Sequence, residues 1–278
     1  MNNAIGAVEK RYSVRTYSEK NLSGQTLESI RTLFQKHSMG PFGNQIRFDL
    51  VPGEDPEKSW RIPGTYGVIK GAPYIILGKV RDRKNALIDY GYCLESIILE
   101  LTEMGLGTCW IGGTFKKSHF AAKVDLKESE ILPAVCPVGY PADRASLTDK
   151  FLRILAKSRK RKPWKELFFD GSAQNPLTPE SAGKYYRVLE SVRLGPSASN
   201  RQPWRIIKDQ KSPAFHLFIK PDKTYQKLLH SIQNLDAGIA LCHFELTAGE
   251  IGLKSRWEQV EMSAPSDWVY ISSWVEKG

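Results

Sequence analysis

The sequence predicts an α+β protein made of two related halves. Three observations predict it: an internal repeat at a fixed offset, apolar runs of strand length bounded by turn formers, and a composition suited to a packed interior. The 278 residues carry 41% hydrophobic and 25% charged side chains, values of a folded globular chain rather than a disordered one. Compact domains run to roughly 100–200 residues, so one large or two small domains fit the length.

The repeat is the strongest of the three. DYGYCLESIILELTEMGLGTCW at 89–110 has a counterpart in DAGIALCHFELTAGEIGLKSRW at 236–257. Asp89/Asp236, Gly91/Gly238, Leu94/Leu241, Leu99/Leu246, Gly105/Gly252, Leu106/Leu253 and Trp110/Trp257 all share an offset of 147. Each copy reads as an apolar helix of about 14–16 residues ended by a glycine suited to a left-handed C-cap. Ahead of each copy a helical pattern (27–38 and 181–193) runs into a small-residue loop, MGPFGN at 39–44 and LGPSASN at 194–200. A strand is predicted after each loop, IRFDLV at 46–51 and WRIIK at 204–208, and further strands are predicted at 73–80, 135–140, 214–220 and 268–275. The turn-rich FFDGSAQNPLTPE places the join near 165–180, giving halves of 1–170 and 171–278.

No apolar run approaches the roughly 18 residues of a membrane span, and the first residues lack the apolar core of a secretory signal. Cys93, Cys109, Cys136 and Cys242 are scattered, which suggests neither a zinc site nor a disulfide framework and fits a reducing cytoplasm. The net charge of +10 suits nucleic acid, a membrane surface or an anionic small ligand. Taken alone, KSRKRK at 157–162 reads as a solvated face or nucleic-acid patch, RYSVR as an exposed basic helix start, and GPSASN as an N-cap or turn. No helix-turn-helix, RNP or zinc motif supports nucleic-acid binding.

Taken together, five motifs in one order carry a family resemblance. RYSVRTYSEK resembles the opening Arg-Arg-Ser-x-Arg motif of the FMN-dependent nitroreductases, and GPSASNRQPWR their Pro-Ser-x-x-Asn-x-Gln-Pro-Trp loop. The repeat helix with its following turn, CPVGYPAD and SRKRKPWKELF are similar to their central helix, their Gly-Tyr-Pro strand end and their basic C-terminal segment. The resemblance implies a nitroreductase-like fold with central antiparallel or mixed sheets flanked by helices.

Family members are homodimers whose FMN sites draw on both subunits. Here the first half keeps the arginine motif, the turn and the basic run, while the second keeps the intact Ser/Asn/Gln loop. The resemblance therefore implies a fused pseudo-dimer, monomeric as a chain, with one working FMN site. Its cofactor-binding residues would be Arg11, Ser13, Arg15, Ile111, Gly112, Gly113, Arg159, Arg161, Pro196, Ser197, Ser199, Asn200 and Gln202. Arginines suit a phosphate because a guanidinium gives two parallel hydrogen bonds. Arg11 and Arg15 would share a face if their segment is helical, and Arg159 and Arg161 would lie on one side of an extended strand. The small residues at 195–200 let backbone approach a cofactor closely. Gly112 or Gly113 is the expected N–H partner of the flavin N5, and Trp204 is a packing residue.

The implied reaction passes electrons from NAD(P)H through FMN to a nitroaromatic, quinone or similar small-molecule acceptor. The flavin carries the chemistry, so no catalytic side chain, thiol role for Cys109, metal, nucleic acid or membrane partner is expected. One departure concerns turnover: relatives carry a basic residue where Val68 stands, with Lys70 displaced. The alternative is a flavin-binding or sensing protein with little catalysis.

Overall fold

The computed structural model describes residues 1, 3–53, 69–112, 115–143, 159–222, 232–265 and 267–276. The chain divides into two compact units, Lys10–Lys160 on one side and Arg161–Gly278 together with Met1–Glu9 on the other. The division thus falls at 160/161 rather than 170/171, and the first nine residues group with the carboxyl-terminal unit. The short helix α1 (Ala4–Lys10) buries Ala4, Ala7 and Val8. The Ile5 N–H donates to Glu250 Oε2 at 2.8 Å, within that unit.

In the unit Lys10–Lys160, α2 (Gly24–Lys36) starts at Ser23, whose hydroxyl accepts from the Thr26 N–H, and buries Ile30, Leu33 and Phe34. Then come β1 (Ile46–Pro52), β2 (Tyr74–Arg81), α3 (Ala86–Glu103), β3 (Gly107–Thr108), α4 (Lys117–Ala121), β4 (Glu130–Ile131) and β5 (Val135–Gly139). The sheet runs β1-β2-β5-β3 with β4 also pairing β2, and every pairing is antiparallel. Helix α3 is buried on nearly all sides, which is why its apolar residues spread around the helix rather than along one stripe.

The second unit contains β6 (Phe168–Asp170), α5 (Tyr186–Leu194), β7 (Trp204–Lys208), β8 (Ala214–Ile219), α6 (Ile232–Glu250), β9 (Ser255–Glu258) and β10 (Val269–Glu276). Its sheet runs β6-β7-β8-β10-β9, with β6 parallel to β7 and the rest antiparallel. The path β7-β8-β10-β9 has the same chain order and spatial order as β1-β2-β5-β3. Each path has its buried helix, α6 or α3, between the second and third strands in sequence.

The ends of the two buried helices agree bond for bond. Met104, Gly105 and Leu106 donate to Glu100, Thr102 and Leu101 at 3.1, 3.1 and 2.9 Å, and Ile251, Gly252 and Leu253 donate to Thr247, Gly249 and Ala248 at 3.2, 3.1 and 2.9 Å. Gly105 and Gly252 hold φ of 76° and 81°, so a left-handed residue closes each helix. The helices are longer than their repeat suggests, at 18 and 19 residues, because apolar residues ahead of each aspartate extend the buried face. No helix among the described residues is long and apolar enough to cross a membrane.

Because a Cβ would meet nothing within 4 Å at either Gly105 or Gly252, alanine there is opposed by conformation alone. Gly105→Ala and Gly252→Ala are each expected to cost about 1 kcal/mol, read from urea or thermal unfolding. A cost at one position and none at the other would show that the two helix ends are not equivalent.

Candidate functional site

The arginine motif is extended, which corrects the conditional helix expected for it. Helix α1 ends at Lys10, and Ser13, Thr16 and Tyr17 form isolated bridges with Thr108, Lys70 and Pro141. Val14 N–H donates to Thr108 O at 2.8 Å and Tyr17 N–H to Lys70 O at 3.0 Å. Tyr12, Val14, Thr16 and Tyr17 favour this conformation over a helix. Arg11, Ser13 and Arg15 therefore alternate along an extended segment, and it is a period of two that groups them. Val14 is buried between them and fits because Gly107 has no side chain, since a Cβ there would lie 2.6 Å from Val14 Cγ2.

Arg11 Nη1 is buried and has no hydrogen-bond partner among the described residues. A buried guanidinium donor left unmatched is costly and suits an anion. Cys109 lies within the influence of the same group. Burial pushes its thiol up, against Arg15, Arg11 and a hydrogen bond from Ser13 that act to lower it. The raised value keeps Cys109 a thiol rather than a nucleophilic thiolate.

The glycine-rich turn leaves β3 and returns to the sheet at Ile111, whose N–H and C=O pair with Val135 at 3.0 and 2.9 Å. The Ile111 N–H is therefore already engaged. Gly112 is half-buried at the end of this stretch; Gly113 and Val68 lie outside the described residues. Lys70 is tied by its backbone to Arg15 and Tyr17.

The 195–202 loop is strained and heavily braced. Three of its non-glycine residues, Ser199, Asn200 and Gln202, have φ of 48°, 55° and 48°, a region that costs L-residues about 1–3 kcal/mol each. Gln202 offsets part of this. Its N–H donates to Ser197 Oγ at 2.8 Å, and its Nε2 donates to Asn200 O and Oδ1 at 3.1 Å each. Its Oε1 accepts from the Lys162 N–H at 2.8 Å. Gln202 is thus a buried brace of the loop. Pro196 and Ser197 are half-buried and Ser199 is exposed.

The basic run does not form the strand expected at Arg159 and Arg161. Arg159 sits in an exposed turn. Arg161 sends its guanidinium to Leu194 O at 2.8 and 3.2 Å and to Asn200 Oδ1 at 3.3 Å. Side-chain bonds to the loop take the place of a strand ladder here, since Lys162 N–H already serves Gln202. Arg205, buried beneath, donates to Gln202 O and Trp204 O at 3.0 and 2.6 Å, and burial holds it down to about 10. Lys162 is also lowered, by burial and then by the charge of Arg205.

Two residues that sequence reasoning left without a role anchor the loops: the repeat-paired aspartates. Asp89 accepts from Phe42 N, Asn44 N and Asn44 Nδ2 at 2.9, 2.8 and 2.8 Å. Arg83 Nε closes the arrangement on Asn44 Oδ1 at 2.7 Å. Asp236 accepts from Ala198 N at 2.9 Å, while its Oδ2 is buried without a partner among the described residues. Burial pushes its carboxyl up to about 8, against the Ala198 bond. The signal was present in the sequence, as an aspartate at one register of two largely apolar helices.

A family model described as "Putative TM nitroreductase" matches residues 3–248. The chain belongs to this family. A Thermotoga maritima MSB8 protein described as a putative nitroreductase aligns over 99% of this chain and 94% of its own, at 24% identity and a TM-score of 0.61, which shows the nitroreductase-like α+β fold. A nitroreductase family protein of Clostridium novyi NT covers 51% of this chain and 87% of its own at 19% identity and a TM-score of 0.42. A Bacteroides fragilis nitroreductase solved with bound FMN covers 54% and 94% at 19% identity and a TM-score of 0.41. No curated protein matches the chain.

The bracing of the loop by Gln202 gives a stability prediction for this nitroreductase family member. Gln202→Ala is expected to lose about 2–3 kcal/mol in urea unfolding. Gln202→Gly, which loses the same side-chain bonds but relieves the positive φ, should lose about 1 kcal/mol less than alanine. Equal losses for both would show that backbone strain at 202 is not a factor.

Proposed function

We propose that the chain is an FMN-dependent oxidoreductase of the nitroreductase type, passing electrons from NAD(P)H to nitroaromatic, quinone or similar acceptors. The observation that carries this reading is the buried, unmatched Arg11 Nη1 in a segment that alternates Arg11, Ser13 and Arg15. That donor set fits the phosphate of FMN, the most demanding part of the cofactor to desolvate. Family membership supports the same class.

Arg11, Ser13 and Arg15 are assigned to the phosphate, with Arg159 adding positive charge. The turn at Ile111, Gly112 and Gly113 is assigned to the ring, with N5 met by the N–H of Gly112 or Gly113 rather than of Ile111. Pro196, Ser197, Ser199 and Asn200 are assigned to the ribityl chain and ring edge. Arg161 and Gln202 act by holding that loop in shape. FMN, when bound, supplies the hydride-accepting and electron-donating chemistry. The chain's groups bind it, orient it and set the charge around it, and the Cys109 thiol takes no part.

A single FMN per chain is part of the proposal. The 39–44 loop satisfies its own polar groups through Asp89, Asn44 and Arg83, and none of its non-glycine residues holds a positive φ, whereas three of the 195–202 loop do. A flavin binder with little turnover is the second reading, favoured by Val68 at the place where relatives carry a basic residue.

Purified chain titrated with FMN is expected to turn yellow and saturate at one equivalent; two equivalents would overturn the single-site assignment and no uptake the whole proposal. Arg11→Ala should weaken FMN binding roughly ten- to a hundredfold without loss of fold. NAD(P)H should bleach the bound flavin anaerobically and menadione or a nitroaromatic restore it. Bleaching by neither nucleotide would leave the passive binder as the correct reading.

A further inference from the structure

We propose that Asp236 is the positioning residue of the 195–202 loop: as a neutral acid it holds Ala198 in place and makes FMN binding weaken as the pH rises. The FMN half of this rests on the function proposed above; the loop half does not.

The geometry begins with the frame that the two units share. Each has an aspartate near the start of its buried helix, at positions related by the repeat, and each aspartate accepts from the loop ahead of the first strand of its path. The surroundings differ. Asp89 receives three N–H donors and feels Arg83 as a favourable charge. Asp236 is 2% exposed, receives one donor, and keeps an oxygen without a partner. One backbone N–H does not compensate a fully buried negative charge. A protonated carboxyl removes the charge and keeps the bond, because one oxygen accepts from Ala198 while the other carries the proton.

The loop is the part of this unit that most needs such a tie. Ser199, Asn200 and Gln202 stand in the left-handed region, so release of Ala198 lets the backbone relax. The charged and titratable groups of the surrounding elements are already engaged. His243, on the same helix, bonds Ser191 O through Nδ1, and Arg193 of α5 is paired with Glu190. Arg201 of the loop is paired with Asp222. Arg205 of β7 and Arg161 bond backbone carbonyls, and Lys162 bonds Gln202 through its backbone N–H, its ammonium being lowered by burial and by Arg205. None of these bonds the Asp236 carboxyl among the described residues.

The sign follows from linkage. An open loop exposes Asp236 to water, where it titrates near 3.9; the closed loop holds it at about 8. The closed state therefore binds the extra proton between these values. Its advantage is complete below the lower value, declines as pH rises, and is gone once the closed form itself ionises near 8.

Hydrogen exchange of the Ala198 amide, measured without FMN, reads the loop alone. In the unaltered protein its protection, corrected for intrinsic exchange, should fall as the pH goes from 6 to 8. Asp236→Asn keeps an acceptor and a neutral group, so its protection should be independent of pH, whereas Asp236→Ala should lose protection roughly tenfold at pH 6. FMN affinity should follow: Asp236→Asn should match the unaltered protein at pH 6 and bind roughly tenfold tighter at pH 9. The same pH slope in Asp236→Asn as in the unaltered protein, by exchange, would overturn the proposal, and so would unchanged protection in a folded Asp236→Ala. If the unaltered protein takes up no FMN, the functional reading fails while the exchange result still decides the role of Asp236.

Discussion

An aspartate carboxyl group inside a largely apolar helix, accepting from a backbone N–H in the loop ahead of the first strand of its path, is the constraint on which each unit depends. The central helix is buried nearly all round, so it has no polar stripe to fix its rotation about its own axis. The aspartate is one of the polar ties that supply that fix, beside Glu95 to Trp110 Nε1 in one unit and His243 to Ser191 O in the other. By accepting from the 40–44 loop or from Ala198, it sets which side of the helix faces the loop. The paired glycines at the far ends then fix where each helix stops. Both units share these two features, and the two sheets repeat one path.

Much of this was legible in the sequence, because the features concerned are either long or repeated. Six strands are apolar runs rich in Val, Ile and Phe, and their bounds agree with the expectation to within a residue or two. The short strands β3, β4, β6 and β9 span two to four residues, and pairing rather than pattern defines them. The arginine motif was ambiguous for a specific reason: residues at i, i+2 and i+4 suit an extended segment as well as two positions on a helix. The β-branched and aromatic residues between them decide for the former. The role of Asp236 was hidden because its partner is a backbone N–H 38 residues away, and a backbone group leaves no mark in composition.

The basic composition has a local meaning at the second loop. Arg161 and Arg205 send their guanidinium groups, and Lys162 its backbone N–H, to oxygens of 194–204. Positive charge is thereby gathered beside the loop. Burial lowers Lys162 and Arg205 accordingly. A run such as KSRKRK therefore need not mark a nucleic-acid surface, because part of it is spent holding a loop in a conformation that backbone preference opposes.

The contrast between the two loops is the clearest physical pointer to function. Both grow from frames of the same path and hang from repeat-paired aspartates, Asp89 and Asp236. One has relaxed: its amide side chain, Asn44, turns inward and completes the hydrogen bonding of Asp89, and among its residues only Gly43 has a positive φ. The other keeps three strained residues and leaves its aspartate with an unmatched oxygen. Strain of that size persists only where surrounding structure enforces it, and Gln202, Arg161 and Arg205 are the enforcement. A loop with no task could shed all of these features by the route its counterpart shows. Their presence on one side of a repeated frame is the support that backbone strain gives to the site proposed at this loop.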